Sequence, residues 1–256
     1  MEELSMANLR YGMKEVANVI FFDTTTGKPA IFFDTLKVAT IENESENAEA
    51  RGGMGNNKLM SWDFGRTATL TLQDALLSDT SLAMLSGNQV KTTNINATGR
   101  ETLTTVLDGT APASKVTLQE TPIAGSVTVF KVVNGVLTDE IPTGITIQTK
   151  DVKISTGAPA GTQVMVFYSY AVTNANASMI TFSGNAFPAI YKVVGDTVVR
   201  SEDGIDRRMQ FVIPKAKLQS NFSFAMDAEN VATFDFSLEV LVESGTQRLY
   251  DIIRLS

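Results

Sequence analysis

The run Val231-Ala232-Thr233-Phe234-Asp235-Phe236-Ser237-Leu238-Glu239-Val240-Leu241 limits what this chain can become more than any other feature. Phe234, Phe236, Leu238 and Val240 fall on one side of an extended strand, and Thr233, Asp235, Ser237 and Glu239 on the other. Successive strand side chains point to opposite faces, so this alternation predicts an antiparallel strand with one buried and one wet face. Strand-like segments of the same kind fill residues 179–255, and no catalytic constellation lies among them. A mainly β chain that makes sheet surface is expected, and function then turns on what that surface meets.

The 256 residues hold neither Cys nor His. Thiol chemistry, disulfides, the usual structural zinc sites and His-dependent acid, base or triad mechanisms are thereby excluded. No cofactor or metal site is expected. The start Met1-Glu2-Glu3 lacks the basic, apolar form of a secretory signal, and no segment has the roughly 20 apolar residues of a membrane span. This predicts synthesis in the cytoplasm without membrane insertion. A formal net charge of -7 argues against tight binding to phosphate, which rests on Lys and Arg displacing counterions.

Residues 16–23 and 30–38 read as two strands of a hairpin turned at Gly27 and Pro29, with Phe21, Phe22, Phe32 and Phe33 as adjacent pairs. Adjacent rings point to opposite faces, so each pair puts one ring on each side of the sheet. Residues 42–57, rich in Glu, Asn and Gly, have no buried-face pattern and predict a long exposed loop, either solvated and mobile or ordered against a neighbouring subunit. Strand character returns from Lys58 to Leu72, where Trp62 is the sole tryptophan. A helix is predicted around residues 75–86, with Ser78 or Asp79 as N-cap and Gly87 as stop. Short β runs punctuated by Gly and Pro predict a small β-sandwich over 113–174, inserted between 1–112 and 175–256.

Candidate sites of chemistry fail on context. Gly52-Gly53-Met54-Gly55 lacks the Lys-Ser/Thr of a phosphate loop. The acids Asp203 and Asp206, and Asp235 and Glu239, sit at a turn or on the polar side of a strand, where solvation explains them. Asp74 and Asp79 read as helix N-terminal charges. Lys215 and Lys217 form a basic cluster whose use in an assembly would be to face Glu42, Glu44, Glu46 and Glu49 of a neighbour.

The order of these features resembles the major tail, or tail tube, proteins of tailed bacteriophages. The resemblance is carried by the Phe-rich hairpin at 19–33, the segment 42–57, and the strand-helix unit from Lys58 through Thr67-Ala68-Thr69-Leu70-Thr71-Leu72 to Gly87. Phe211-Val212-Ile213-Pro214-Lys215-Ala216-Lys217-Leu218 and residues 234–241 complete it. The middle segment resembles the immunoglobulin-like modules that some virion proteins carry. The resemblance implies a β-sandwich or half-barrel with one flanking helix, six copies of which join into a ring. Rings would stack through the 42–57 segment and the N-terminal arm into a virion tail tube that delivers the genome, without enzymatic activity. Implied partners are further copies of the chain and other tail proteins such as sheath, baseplate or terminator. DNA would pass through the lumen without tight binding, and Asp235 and Glu239 are candidate lumen-facing acids. Phe21, Phe22, Phe32 and Phe33 join the Glu and Lys residues as candidate inter-subunit contacts. Two other readings fit the same residues: a capsid decoration, neck or baseplate protein, and a carbohydrate-binding β protein.

Overall fold

The computed structural model describes residues 10–174, 176–223 and 233–255. It divides into two compact units, residues 91–179 and the remainder on either side. The first part of the outer unit holds β1 (Tyr11–Met13), β2 (Asn18–Asp23), β3 (Pro29–Phe33), β4 (Leu36–Gly52), β5 (Asn57–Asp74) and α1 (Asp79–Ser86). The inserted unit holds β6 (Ile95–Thr104), β7 (Val106–Leu107), β8 (Ser114–Thr117), β9 (Thr128–Val133), β10 (Val136–Glu140), β11 (Ile145–Gln148), β12 (Asp151–Ile154) and β13 (Gln163–Val172). The outer unit resumes with β14 (Ile190–Ser201), β15 (Asp206–Leu218), β16 (Phe234–Val240) and β17 (Asp251–Arg254). The fold is mainly β with antiparallel pairing, as the alternating sequence predicts.

In the outer unit the strands follow the order β3-β2-β14-β15-β16-β5-β4, with β1 added to β14 and β17 to β15. The sheet is rolled. Phe33 on β3 and Phe236 on β16 lie four strand spacings apart, about 19 Å in a flat sheet, yet their ring centroids are 5.2 Å apart. The two ends of the path, β3 and β4, are consecutive in sequence and joined only by Asp34 and Thr35. Thr35 Oγ1 donates to the buried carboxylate of Asp74 at 2.5 Å, and the Ala75 N–H donates to the Thr35 carbonyl. Asp74, expected as a helix charge, instead pins this seam.

Phe21, Leu70, Leu72, Ile213, Leu218 and Leu238 fill the inside of the roll and are fully buried. Each such side chain contributes roughly 1.5–3 kcal/mol by leaving water. The predicted C-terminal alternation is realised in β16, where Phe234, Phe236, Leu238 and Val240 are buried and Asp235 and Glu239 exposed. Its first residues, Val231 and Ala232, lie outside the described residues. Gly195 lies opposite Phe211, and a methyl group there would meet the Phe211 ring at 2.1 Å. Gly195→Ala is therefore expected to cost about 1–3 kcal/mol by overpacking. Gly184→Ala, with nothing within 4 Å, should be close to neutral; equal denaturant midpoints for the two variants would refute this.

The helix forms where the caps say it should. Ser78 accepts from the Ser81 N–H, the Ser81 hydroxyl accepts from the Ser78 N–H, and Gly87 closes the helix in the left-handed conformation. Pro214 sits within β15 at an irregularity in its pairing with β14, where one ladder donor can be lost. The segments expected as strands at 179–183 and 218–226 are not regular strands over their described parts; Met179 makes only an isolated bridge, to Lys91, and residues 224–226 lie outside the described residues.

The inserted unit has two four-stranded antiparallel sheets, β10-β9-β13-β6 and β11-β12-β8-β7. They share one apolar core in which Val116, Val152 and Ile154 of one sheet meet Val129, Val164 and Val166 of the other. The expected boundary at residue 113 moves to 91, because β6 pairs with β13 along its whole length, from Ile95 opposite Val172 to Thr104 opposite Gln163. Within this core the Tyr168 hydroxyl donates to Glu101, and burial, then that carboxylate, pushes the phenol up to about 12. An unfolded phenol ionises near pH 10. The stability it confers is therefore complete below about pH 10 and is lost as pH rises toward about 12. Tyr168→Phe should remove this alkaline loss from thermal scans; an unchanged alkaline slope would refute the assignment.

Candidate assembly interface

The segment 42–57, expected as a loop, is one arm of a β-hairpin. Residues of β4 from Leu36 to Gly52 pair with β5 from Asp74 back to Asn57. A backbone ladder needs no buried face, so a strand with water on both sides leaves no apolar periodicity to read. β16 covers β5 only from Ala68 to Asp74. Residues 45–66 therefore continue as a two-stranded ribbon with no third strand beside it among the described residues.

Gly65, at φ 60°, decides which way this arm faces. Glu44 pairs with Thr67 but Glu46 pairs with Phe64, so β5 has one residue more than β4 across this step. Such a bulge exchanges the faces of all residues beyond it. The even-numbered residues that point into the core at Ala68, Leu70 and Leu72 share a face with Glu44 and Thr67 once they reach Phe64, Trp62 and Met60. Met60, Trp62 and Phe64 are 54, 53 and 51% exposed, and Ala48 and Ala50 lie opposite Trp62 and Met60. The arm thus has one apolar face without cover. On the other face Glu49 accepts from Arg51 at 2.6 Å and from Lys58 at 2.6 Å. Lys58, then Arg51, hold its carboxyl below the usual range.

The structure distributes the candidate contact residues over three places. Phe21 and Phe33 are core, in edge-on contact at 5.3 Å, so burial takes them out of any surface. Phe22 and Phe32 point to the outside, Phe32 at 54% exposure and Phe22 beneath the Lys192 ammonium at 5.9 Å. Glu42 and Glu44 stand on the outer face of β4, Glu46 stands opposite Phe64, and Glu49 is occupied by its own hairpin. Lys217 lies opposite Glu239 on β16, and Glu239 opposite Thr69, which is opposite Glu42. Lys217 and Glu42 of one chain are thus on one face but three strand spacings apart.

That face of β16, β5 and the middle of β4 is mostly polar. Asp235, Ser237 and Glu239 line up with Gln73, Thr71 and Thr69, and Val38, Thr40 and Glu42 extend the three rows. These rows carry carboxylates, hydroxyls, an amide and one valine, and Lys217 of β15 borders them opposite Glu239. Elsewhere on the same outer surface Phe32, Ile20, Val194 and Val212 form one apolar cross-strand row over β3, β2, β14 and β15, bordered by Lys192 on one side, by Asn18, Asp196 and Gln210 on the other, and by Asp251 beyond Val212. Neither Trp62 with Phe64 nor this row was identifiable as a surface from spacing alone, because alternation does not say which face is covered. The glycine after Phe64 was the available signal for the change of face.

Of the paired acids, Asp203 and Asp206 are engaged in ion pairs, and Asp235 and Glu239 stand exposed on β16. Arg200 donates to Asp206 at 2.6 and 2.7 Å, and Arg207 to Asp203 at 3.1 and 2.7 Å. Arg207, with the Ile205 N–H, holds Asp203 down at about 2. A cleft of about 450 Å³ beside Lys14, Glu15, Arg200 and Asp206 has no aromatic wall. No helix among the described residues is long and apolar enough to cross a membrane.

A protein-family model, that of the YomU/Tube protein family, matches residues 11–253. The chain belongs to this family. The match spans both ends of the rolled sheet, the arm and the inserted unit, so the YomU/Tube assignment covers nearly all of the chain. No curated protein matches it.

Proposed function

We propose that this YomU/Tube chain is the structural subunit of a phage tail tube, present in the virion tail in many copies. Six copies join into a ring, rings stack, and the genome passes through the lumen to the host cell. The chain performs no reaction; its work is assembly and passage. The observation that carries the reading is the acidic, hydroxyl-rich face of β16, β5 and the middle of β4, with Asp235, Glu239 and Glu42 among hydroxyls. Facing a lumen, these carboxylates repel phosphate. The outer edges of β3 and β4, without a partner strand among the described residues, support ring formation, since open edges seek partner strands and closure removes them.

The inserted unit is read as an immunoglobulin-like module. Its β7-β8-β12-β11 sheet follows the A-B-E-D order, and β10-β9-β13-β6 follows C′-C-F-G with its first strand in the place of the last. Electron microscopy of the purified chain at high concentration tests the tube. Tubes or rings of sixfold symmetry are expected, and a monomer under every condition would overturn the reading. A copy number of one or a few rings per particle would assign the chain to the neck or baseplate.

A further inference from the structure

We propose that the apolar face of the β4–β5 arm docks on the outer face of β2, β14 and β15 of a second copy. This rests on the tube reading for its setting, but its evidence is separate. Met60, Trp62 and Phe64 on the arm and Phe32 on the sheet are exposed, and Ile20, Val194 and Val212 continue the sheet row half-buried. Exposed apolar patches of this kind mark interaction sites.

Their lengths agree. Met60 to Phe64 spans four strand residues, about 14 Å at about 3.4 Å each. The row from Phe32 to Val212 crosses three strand spacings, again about 14 Å. Laid across the strands, the arm puts its three large side chains along the row, as in crossed sheet packing about 10 Å apart.

The charges agree as well. Glu46 shares the arm's apolar face, opposite Phe64, and makes no ion pair among the described residues. At the edge of the receiving row stand Lys192, Lys215 and Lys217, also without an ion pair among the described residues. They are neighbours, since Tyr191 pairs with Ala216 and Ile190 with Lys217. An acid beside the arm's rings thus meets cations beside the row, which fixes the direction in which the arm lies.

Arm and row are different patches of one molecule, so the contact is heterologous. Each copy gives one arm and receives another, and repetition yields a closed ring or an open stack rather than an isolated dimer.

The absence of Cys from the chain makes the test direct. Ala48→Cys in the arm and Val194→Cys in the row are made in separate chains, mixed, and treated with a bismaleimide reaching about 10 Å, the spacing of packed sheets. Cross-linked dimers are expected in the mixture and not from either chain alone. No mixed dimer at any concentration overturns the proposal. Tubes that form without the cross-link overturn the docking and leave the tube reading standing; cross-linked chains that never form tubes do the reverse. A second pair keeps the test independent of the cysteines. Glu46→Lys, and the triple change Lys192→Glu, Lys215→Glu, Lys217→Glu, should each weaken association at least tenfold, and mixing the two should restore it. Reversal that leaves association unchanged, or mixing that restores nothing, overturns the assigned direction.

Discussion

A chain carrying Trp62→Ser and Phe64→Ser should remain monomeric at concentrations where the parent chain assembles, with its melting temperature unchanged. Both side chains are about half exposed on the arm, so the rolled core loses nothing when they go. In the proposed assembly they would be the large aromatic anchors of the arm. Buried aromatic anchors are worth about 2 kcal/mol or more each, and about 1.4 kcal/mol is tenfold in affinity. Losing two should weaken association by about a thousandfold. Sedimentation velocity over a concentration series, beside a thermal scan, checks both halves of the expectation. Assembly equal to that of the parent would show that the arm's apolar face is not an interface. A lowered melting temperature would show that the rings stabilise the monomer.

Phe236→Ala should destabilise the outer unit by about 3–5 kcal/mol. The Phe236 ring touches Phe33 at 5.2 Å, Phe234 at 5.4 Å and Phe21 at 6.4 Å, joining strands well separated along the sheet path. Its removal leaves a cavity where the roll closes, and neither the seam nor α1 is free to collapse into it. At about 2–4 °C per kcal/mol for a unit of this size, its transition should fall by about 10 °C or more. The inserted unit has its own core of Val129, Val152, Ile154, Val164 and Val166, and its transition should stay in place. Calorimetry of the variant is therefore expected to separate two transitions. Parallel shifts of both would show that the units melt as one.

The parts legible in the sequence are those where burial or capping leaves a local pattern. Phe234 to Val240 announced a half-buried strand, Ser78 and Gly87 announced the ends of α1, and Phe21-Phe22 announced one ring on each face. Patterns fail where the partner is distant or the environment uniform. β6 was not assigned to the inserted unit because its partner β13 lies about 70 residues away, and no local signal names a long-range partner. The Glu-rich strand β4 was read as a loop because water on both faces removes the alternation that burial imposes. Trp62 fell on a strand in the sequence, but only the bulge at Gly65 shows that it faces away from the core. Of the candidate contacts, Phe21 and Phe33 were right as bulky sheet residues and wrong as surface.

The arm and the core are parts of the same strand. β5 runs without a break from the exposed arm into the ladder with β16, where Phe234 to Val240 each face a β5 residue. Tension applied along the arm therefore loads that ladder in shear, with its hydrogen bonds strained together rather than opened one at a time as in peeling. A subunit built this way is stiff to pulling along the arm and compliant to bending at Gly65. In the proposed tube, a column of subunits joined through their arms would flex sideways while resisting stretch.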